Sequence, residues 1–282
     1  RRTWISAETL LLAALSVLLA ATPVAGAADL SAPGPLALEI IEFPDLVDAA
    51  RARKVPVKVF LPEGRAAFPV VVFSHGAGGS WDANFAQARH LASYGYVVLA
   101  LEHVGSNTAV LKRGFRPLKN LAAMTRDPEE VLGRPRDVSF ALDQAAVWNA
   151  GGNRLRGRLD LARVGILGHS FGAYTTLAVL GARPALDWLT PTVPPGAGLG
   201  PDLRDARVAC GVALSPQGPG EPFFIEESYA TLAAPLLGIT GSEDRQQAAP
   251  PENRRRGFDL WPPGDKFFVW LEGAEHSAFS DA

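Results

Sequence analysis

The residues best suited to chemistry lie in the pentapeptide Gly168-His169-Ser170-Phe171-Gly172, a G-x-S-x-G pattern. Arg163-Val164-Gly165-Ile166-Leu167 reads as a short apolar strand before it, and Ala173–Leu180 as a helix after it. A serine at the apex of a strand–turn–helix stands exposed at the positive end of the following helix, and the glycines allow the strained turn and close helix packing. The competing reading is an ordinary Gly/Ser turn. A serine hydroxyl is a poor nucleophile until a base takes its proton, and the base in turn needs a carboxylate to hold its tautomer. Enzymes with such an elbow carry the three in the chain order serine, acid, histidine.

His276 is the sole histidine after Ser170 and is the candidate base. It lies in Gly273-Ala274-Glu275-His276-Ser277, past the last expected strand, where open α/β sheets bind ligands. The strand Pro235–Thr240 runs into Gly241-Ser242-Glu243-Asp244. Asp244 is preferred to Glu243 as the acid because a short side chain in a tight turn is held more rigidly toward an imidazole. Asp259, Asp265 and Glu272 rank behind both, since none closes a strand in the right part of the chain. Acyl transfer also needs donors for the developing oxyanion, each contributing about 3–4 kcal/mol. The Phe171 N–H, next after the nucleophile, is one. The loop Ser74-His75-Gly76-Ala77-Gly78-Gly79, after the strand Val70–Phe73, supplies the other, expected at the Ala77 N–H. A phosphate-cradling loop competes for the same glycines but would need GxGxxG spacing or a Walker lysine. His75, His103 and His169 read as hydrogen-bonding supports near the cleft. Trp81, Trp188, Phe223 and Phe224 are candidates for an apolar acyl pocket, with simple packing as the alternative.

The elements that must position these groups follow from periodicity. Expected strands are Leu38–Phe43, Val55–Leu61, Val70–Ser74, Tyr96–Leu101, Val164–Leu167, Val208–Leu214, Pro235–Thr240 and Lys266–Leu271. Runs such as Val70-Val71-Val72-Phe73 lack polar alternation, as in strands buried on both faces. Phe85, Ala88 and Ala92 recur at helical spacing, with Asp82 a possible N-terminal cap and Gly95 placed for a C-terminal one. A second helix is expected over Asp137–Asn149. Strands alternating with helices predict an α/β class, a mostly parallel central sheet with helices on both faces. The Pro184–Pro201 and Pro216–Glu227 segments read as loops.

Composition bounds the remainder. The chain has 282 residues, 48% hydrophobic and 20% charged, with a formal net charge of −2. It can bury a large core and has no basic block for nucleic acid. One cysteine, Cys210, allows no intrachain disulfide, and five scattered histidines carry no metal-ligand spacing, so neither metal nor cofactor is expected. Arg1-Arg2, the apolar run Leu10–Ala21 and Ala25-Gly26-Ala27 read as a secretory signal over residues 1–27, with cleavage of A-x-A type and a secreted or periplasmic product. An uncleaved N-terminal anchor is the competing reading, but the apolar run is short for a membrane span, which takes about 20 residues. The arginine pair suits twin-arginine export, but the residues after it fit that signal poorly. Residues 28–282 are expected to form one catalytic domain.

Phe73-Ser74-His75-Gly76-Ala77-Gly78, Leu99-Ala100-Leu101-Glu102-His103 and Gly168-His169-Ser170-Phe171-Gly172-Ala173 together resemble the platelet-activating-factor acetylhydrolase type II group and the bacterial dienelactone-hydrolase-like proteins of the α/β-hydrolase superfamily. The resemblance spans about residues 55 to 280. It implies an α/β-hydrolase fold, Ser170 as nucleophile, His276 as base and the Ala77 and Phe171 amides as oxyanion donors. Two departures matter. The eukaryotic lipase branch has its acid after the strand that here ends in Ala213-Leu214-Ser215, which moves the acid to Asp244. Dienelactone hydrolases use a cysteine nucleophile, where this chain has Ser170. The expected activity is a secreted serine esterase for short-chain acyl esters. An extracellular polyester hydrolase, an acyltransferase with the same triad and a non-catalytic binding protein of the same fold are the alternatives.

Overall fold

The computed structural model describes residues 29–189, 198–246 and 249–281. Eight strands form one sheet: β1 (Leu38–Phe43), β2 (Val57–Pro62), β3 (Phe68–Ser74), β4 (Val97–Leu101), β5 (Leu159–His169), β6 (Val208–Leu214), β7 (Leu236–Glu243) and β8 (Lys266–Glu275). Their spatial order is β1-β2-β4-β3-β5-β6-β7-β8. β2 pairs antiparallel with both β1 and β4, and every pairing from β4 through β8 is parallel. The principal helices are α1 (Phe85–Ser93), α2 (Pro117–Met124), α3 (Gly133–Ala150), α4 (Phe171–Val179) and α5 (Glu252–Asp259). Val47–Asp48 and Arg53–Lys54 make a separate small ribbon.

Alternation along β4 shows why the sheet is covered twice. Val97, Leu99 and Leu101 join a core with Val138 and Leu142 of α3 and Phe171 and Leu177 of α4, whereas Val98 and Ala100 face Ala88 and Ala92 of α1. All five β4 side chains are buried, so this strand carries no polar face. The expected α/β-hydrolase fold is the one observed, with the strand order inverted between β4 and β3.

The sheet aims its chemistry by where its strands stop. Ser74 of β3 pairs with Gly168 of β5, Gly168 pairs with Ala213 of β6, and Glu243 of β7 pairs with Glu275 of β8. The loop 75–79, Ser170, Asp244 and His276 all follow carboxyl ends of parallel strands, along one edge of the sheet. Ligands bind at this edge in open parallel sheets.

Several boundaries differ from the expectation. β5 reaches from Leu159 to His169 and β8 to Glu275, because Leu159 and Asp160 pair with Phe68 and Pro69 of β3, His169 with Leu214 of β6, and Glu275 with Glu243 of β7, beyond local shifts of register. α1 starts after Asn84, and Asp82 instead binds Lys58 Nζ at 2.5 Å, so it caps nothing. Gly95 does take the left-handed conformation expected just past this helix, with φ +90°. α3 begins four residues early, at Gly133. The main packed unit begins at Gly34; in the unit before it, the Ser31 N–H and hydroxyl both donate to Asp29 Oδ1, at 3.0 and 2.6 Å. The expected signal over residues 1–27 lies outside the described residues.

Candidate active site

Ser170 is held in a backbone conformation that side chains rarely adopt, φ 55° and ψ −116°, at a cost of about 1–3 kcal/mol. The surroundings enforce it. Its N–H donates to Leu214 O at 2.9 Å, and its carbonyl accepts from Tyr174 N–H at 3.1 Å and Gln217 Nε2 at 2.6 Å. The two pattern glycines are steric necessities: a Cβ on Gly168 would lie 2.1 Å from the Gly172 carbonyl oxygen, and one on Gly172 would lie 1.8 Å from that of Ser74. The turn therefore packs α4 directly onto the ends of β5 and β3.

The sheet edge brings the three expected side chains into one line. His276 Nε2 lies 2.9 Å from Ser170 Oγ, and His276 Nδ1 lies 2.7 Å from Asp244 Oδ1. Asp244 is fully buried, its Oδ2 accepts from Thr240 Oγ1 at 2.8 Å, and Arg254 Nη2 stands 2.8 Å from its Oδ1. Burial alone would raise its pKa. The His276 hydrogen bond and the Arg254 charge outweigh that and hold it at about 2. An ionised Asp244 can only accept, so the imidazole proton sits on Nδ1 and Nε2 is left bare toward the Ser170 hydroxyl. His169 anchors the next layer: its Nε2–H donates to the His276 carbonyl at 3.0 Å. Burial first, and then the nearby His276, lower the His169 pKa to about 4, so it is neutral at physiological pH.

A cleft of about 410 Å³ opens over Ser170 and His276. Ala77, Phe171 and Phe223 line it, together with Leu118 and Leu121 from α2. Among the described residues, neither the Ala77 N–H nor the Phe171 N–H donates to a protein acceptor, so both remain available to a ligand. The assembly can take a proton from Ser170, hold the imidazolium that results, and offer two amides to an adjacent anion.

Three of the four aromatic candidates sit elsewhere. Trp81 lies beneath Lys58, whose Nζ is 4.8 Å from the ring centroid, and lines a narrow gap with Phe73 and Asn84. Phe224 is fully buried against Tyr174 and Tyr229, where the core claims the ring. Trp188 is absent from the cleft lining; its loop leads into residues 190–197, outside the described set. Phe223 alone reaches the cleft, stacked on Phe171 at 5.0 Å.

Sequence reasoning missed Arg254, which is 2% exposed. Its Nε donates to Asp244 O at 2.9 Å, Nη1 to Ser215 O and Pro216 O at 2.8 and 3.0 Å, and Nη2 to Arg245 O at 3.0 Å. One guanidinium thus ties the end of β6 to the end of β7 and supplies the charge beside Asp244. Arg254 stands in Arg254-Arg255-Arg256, a run that reads as a solvated face, so no signal separated it from its neighbours. Gln217 and α2 were missed as well, although Pro117 at the first turn of α2 is a start signal.

Comparison with known proteins finds relatives named as ester hydrolases. The family model for platelet-activating factor acetylhydrolase, isoform II, matches residues 50–120, which include the loop 75–79 and His103. A platelet-activating factor acetylhydrolase of Cavia porcellus is 25% identical over 81% of this chain and 52% of its own length. The cutinase cut1 of Thermobifida fusca is 29% identical over 92% of this chain and 71% of its own. A bis(hydroxyethyl) terephthalate hydrolase of Streptomyces coelicolor is 29% identical over 36% of this chain and 33% of its own. The chain spans about half the length of the acetylhydrolases it matches.

Proposed function

Taking the chain as a member of the α/β-hydrolase superfamily, we propose that it hydrolyses carboxylic esters through an acyl-enzyme on Ser170. The observation that carries the reading is the hydrogen-bonded line Ser170–His276–Asp244 at 2.9 and 2.7 Å beneath an open cleft. Ser170 Oγ attacks the ester carbonyl carbon as its proton passes to His276 Nε2. Asp244 stabilises the imidazolium, and the Ala77 and Phe171 amides receive the oxyanion. His276 returns the proton to the departing alcohol, whose C–O bond breaks to leave the acyl-enzyme. Water then adds to the acyl carbon, giving a proton to Nε2, and the carboxylic acid leaves as Ser170 regains that proton.

Short-chain acyl esters are the favoured substrates. The cleft is modest in volume, and Phe223, Leu118 and Leu121 give it an apolar wall for an acyl group. A second reading, hydrolysis of polyesters, is favoured by the cutinase whose similarity covers 92% of the chain. Export through the segment 1–27, leaving residues 28–282 as one catalytic domain, completes the proposal. N-terminal sequencing of the product from culture medium tests it: a start near residue 28 is expected, and a product that retains the segment 1–27 would refute it. No helix among the described residues is long and apolar enough to cross a membrane.

The test is turnover of p-nitrophenyl acetate, butyrate and laurate alongside a polyester film. Ser170→Ala should abolish all of it at unchanged melting temperature. Turnover retained by that variant would refute the reading, and a film rate above that for soluble esters would favour the polyester one.

A further inference from the structure

Behind the loop 75–79 lies a buried polar cluster that the reaction above does not use. Ser74, His103, Asp137 and Arg134 are fully buried, and His75 is 1% exposed. The hydrogen-bond directions within it can be worked out from one end. Asp137 faces Arg51 at 2.8 Å and Arg53 at 2.9 Å, so it is ionised, and His103 Nδ1, 2.9 Å from Asp137 Oδ2, must donate to it. Burial first, and then the Arg134 charge, lower the His103 pKa well below 6.5, so His103 is neutral and its bare Nε2 accepts from Ser74 Oγ at 2.9 Å. The His103 backbone N–H in turn donates to His75 Nε2 at 3.1 Å. An imidazole that accepts at Nε2 carries its proton on Nδ1, and His75 Nδ1 lies 2.6 Å from the Gly76 carbonyl oxygen.

That oxygen belongs to the peptide whose other half is the Ala77 N–H. In a trans peptide the C=O and N–H point in opposite directions. Three donors hold the oxygen: His75 Nδ1–H at 2.6 Å, Gly79 N–H at 3.1 Å and Arg134 Nη2–H at 3.5 Å. Arg134 also donates to the His75 carbonyl at 2.7 Å and lies 4.0 Å from the centroid of the Phe171 ring, so it touches both halves of the oxyanion site. Turning the Gly76 oxygen toward the cluster turns the Ala77 amide toward the cleft.

We propose that His75 is a positioning residue whose Nδ1–H, locked in that tautomer by the His103 backbone amide, aims the Ala77 N–H at the substrate oxyanion. The inference rests on the esterase reading and deepens it. An asparagine amide can reproduce the Nδ1 donor, whereas a glutamine amide reaches toward the Nε2 position and meets the His103 N–H. His75→Gln should lower kcat by about 10- to 100-fold, within what loss of one oxyanion donor causes. KM should stay within about threefold, because the neutral ground-state carbonyl depends little on that amide. His75→Asn should recover kcat to within about fivefold of the parent. Affinity for a trifluoromethyl ketone, which forms a charged tetrahedral adduct, should fall in proportion to kcat. A merely structural role would lower the melting temperature of both variants without this split.

Equal losses in the two variants, or a loss confined to KM, would overturn the proposal. Should neither variant fold, a long-range 1H–15N spectrum of the unaltered protein decides it: His75 must show the proton on Nδ1 and a bare Nε2, and the opposite tautomer overturns the proposal. Fluorophosphonate labelling of Ser170 in the unaltered protein tests the esterase reading separately, so labelled protein with an unfavourable His75 result rejects the positioning role alone.

Discussion

Asp244→Asn isolates the charge of the acid from its geometry, because Arg254 should fix the orientation of the new amide. In the parent, Asp244 Oδ1 faces both His276 Nδ1 at 2.7 Å and Arg254 Nη2 at 2.8 Å, while Oδ2 faces the Thr240 hydroxyl. An asparagine with its nitrogen on the Oδ1 side would meet two donors. With its oxygen there and its nitrogen toward Thr240, whose hydroxyl can rotate to accept, every group keeps a partner. His276 then retains the proton on Nδ1, and what is lost is the attraction between carboxylate and imidazolium. For charges about 4 Å apart at an effective dielectric constant of about 20, that attraction is about 4 kcal/mol. At about 1.36 kcal/mol per decade, kcat should fall about 10³-fold. A variant whose histidine took the wrong tautomer would lose about 10⁴-fold. The assay is ester turnover with circular dichroism to verify folding, beside Glu243→Gln, which alters an exposed neighbour and should leave kcat within about twofold. Comparable losses from the two variants would refute the assignment of the acid. A 1H–15N spectrum of the Asn variant showing protonated Nε2 would refute the argument from Arg254.

Stability should carry the same signature. Asp244 has its pKa lowered from 3.8 to about 2 in the fold, so its contribution is complete above pH 3.8 and is lost as pH falls toward 2. Acid titration of the unfolding free energy should therefore lose about 2 kcal/mol of pH-dependent stability in Asp244→Asn, and parallel curves would contradict the buried ion pair. Phe224→Ala should cost about 3–5 kcal/mol in denaturant unfolding with little change in KM, because the ring is core. Phe223→Ala should instead shift the preferred acyl length in the ester panel, and a reversal of the two phenotypes would place the acyl wall elsewhere. Gly172→Ala should lower both melting temperature and turnover, since its Cβ would overlap the Ser74 carbonyl oxygen at 1.8 Å. Normal behaviour of that variant would contradict the packing of α4 against β3. The rise of kcat/KM with pH should follow a single ionisation, as burial keeps His75, His103 and His169 neutral; a second step would implicate one of them.

What could be read from the sequence depended on whether function left a local imprint. The strand–turn–helix around Ser170 is local in sequence, its glycines are dictated by contact distances under 2.2 Å, and the elbow appeared where the pattern placed it. Asp244 and His276 could be picked out as candidates because each stands one residue beyond the end of a parallel strand, and chain order left few choices. Arg254 left no such imprint. Its role comes from four carbonyls at the ends of β6 and β7, and nothing in a run of three arginines says which one turns inward. The aromatic pocket failed for a related reason. Phe223 and Phe224 are adjacent and identical, yet one faces the cleft and the other the core, a choice made by the fold of the loop and not by residue type. α2 was passed over because its mixed apolar and basic residues lie between two better-marked segments, although it supplies one wall of the cleft.

The most direct test of the central claim is mass-spectrometric mapping of the protein after reaction with a fluorophosphonate, with residual esterase activity followed on the same samples. One adduct per chain should appear on Ser170, its formation should parallel the loss of turnover, and His276→Ala should slow labelling by orders of magnitude. Full turnover with Ser170 unmodified, or inactivation through an adduct on any other residue, would contradict the account.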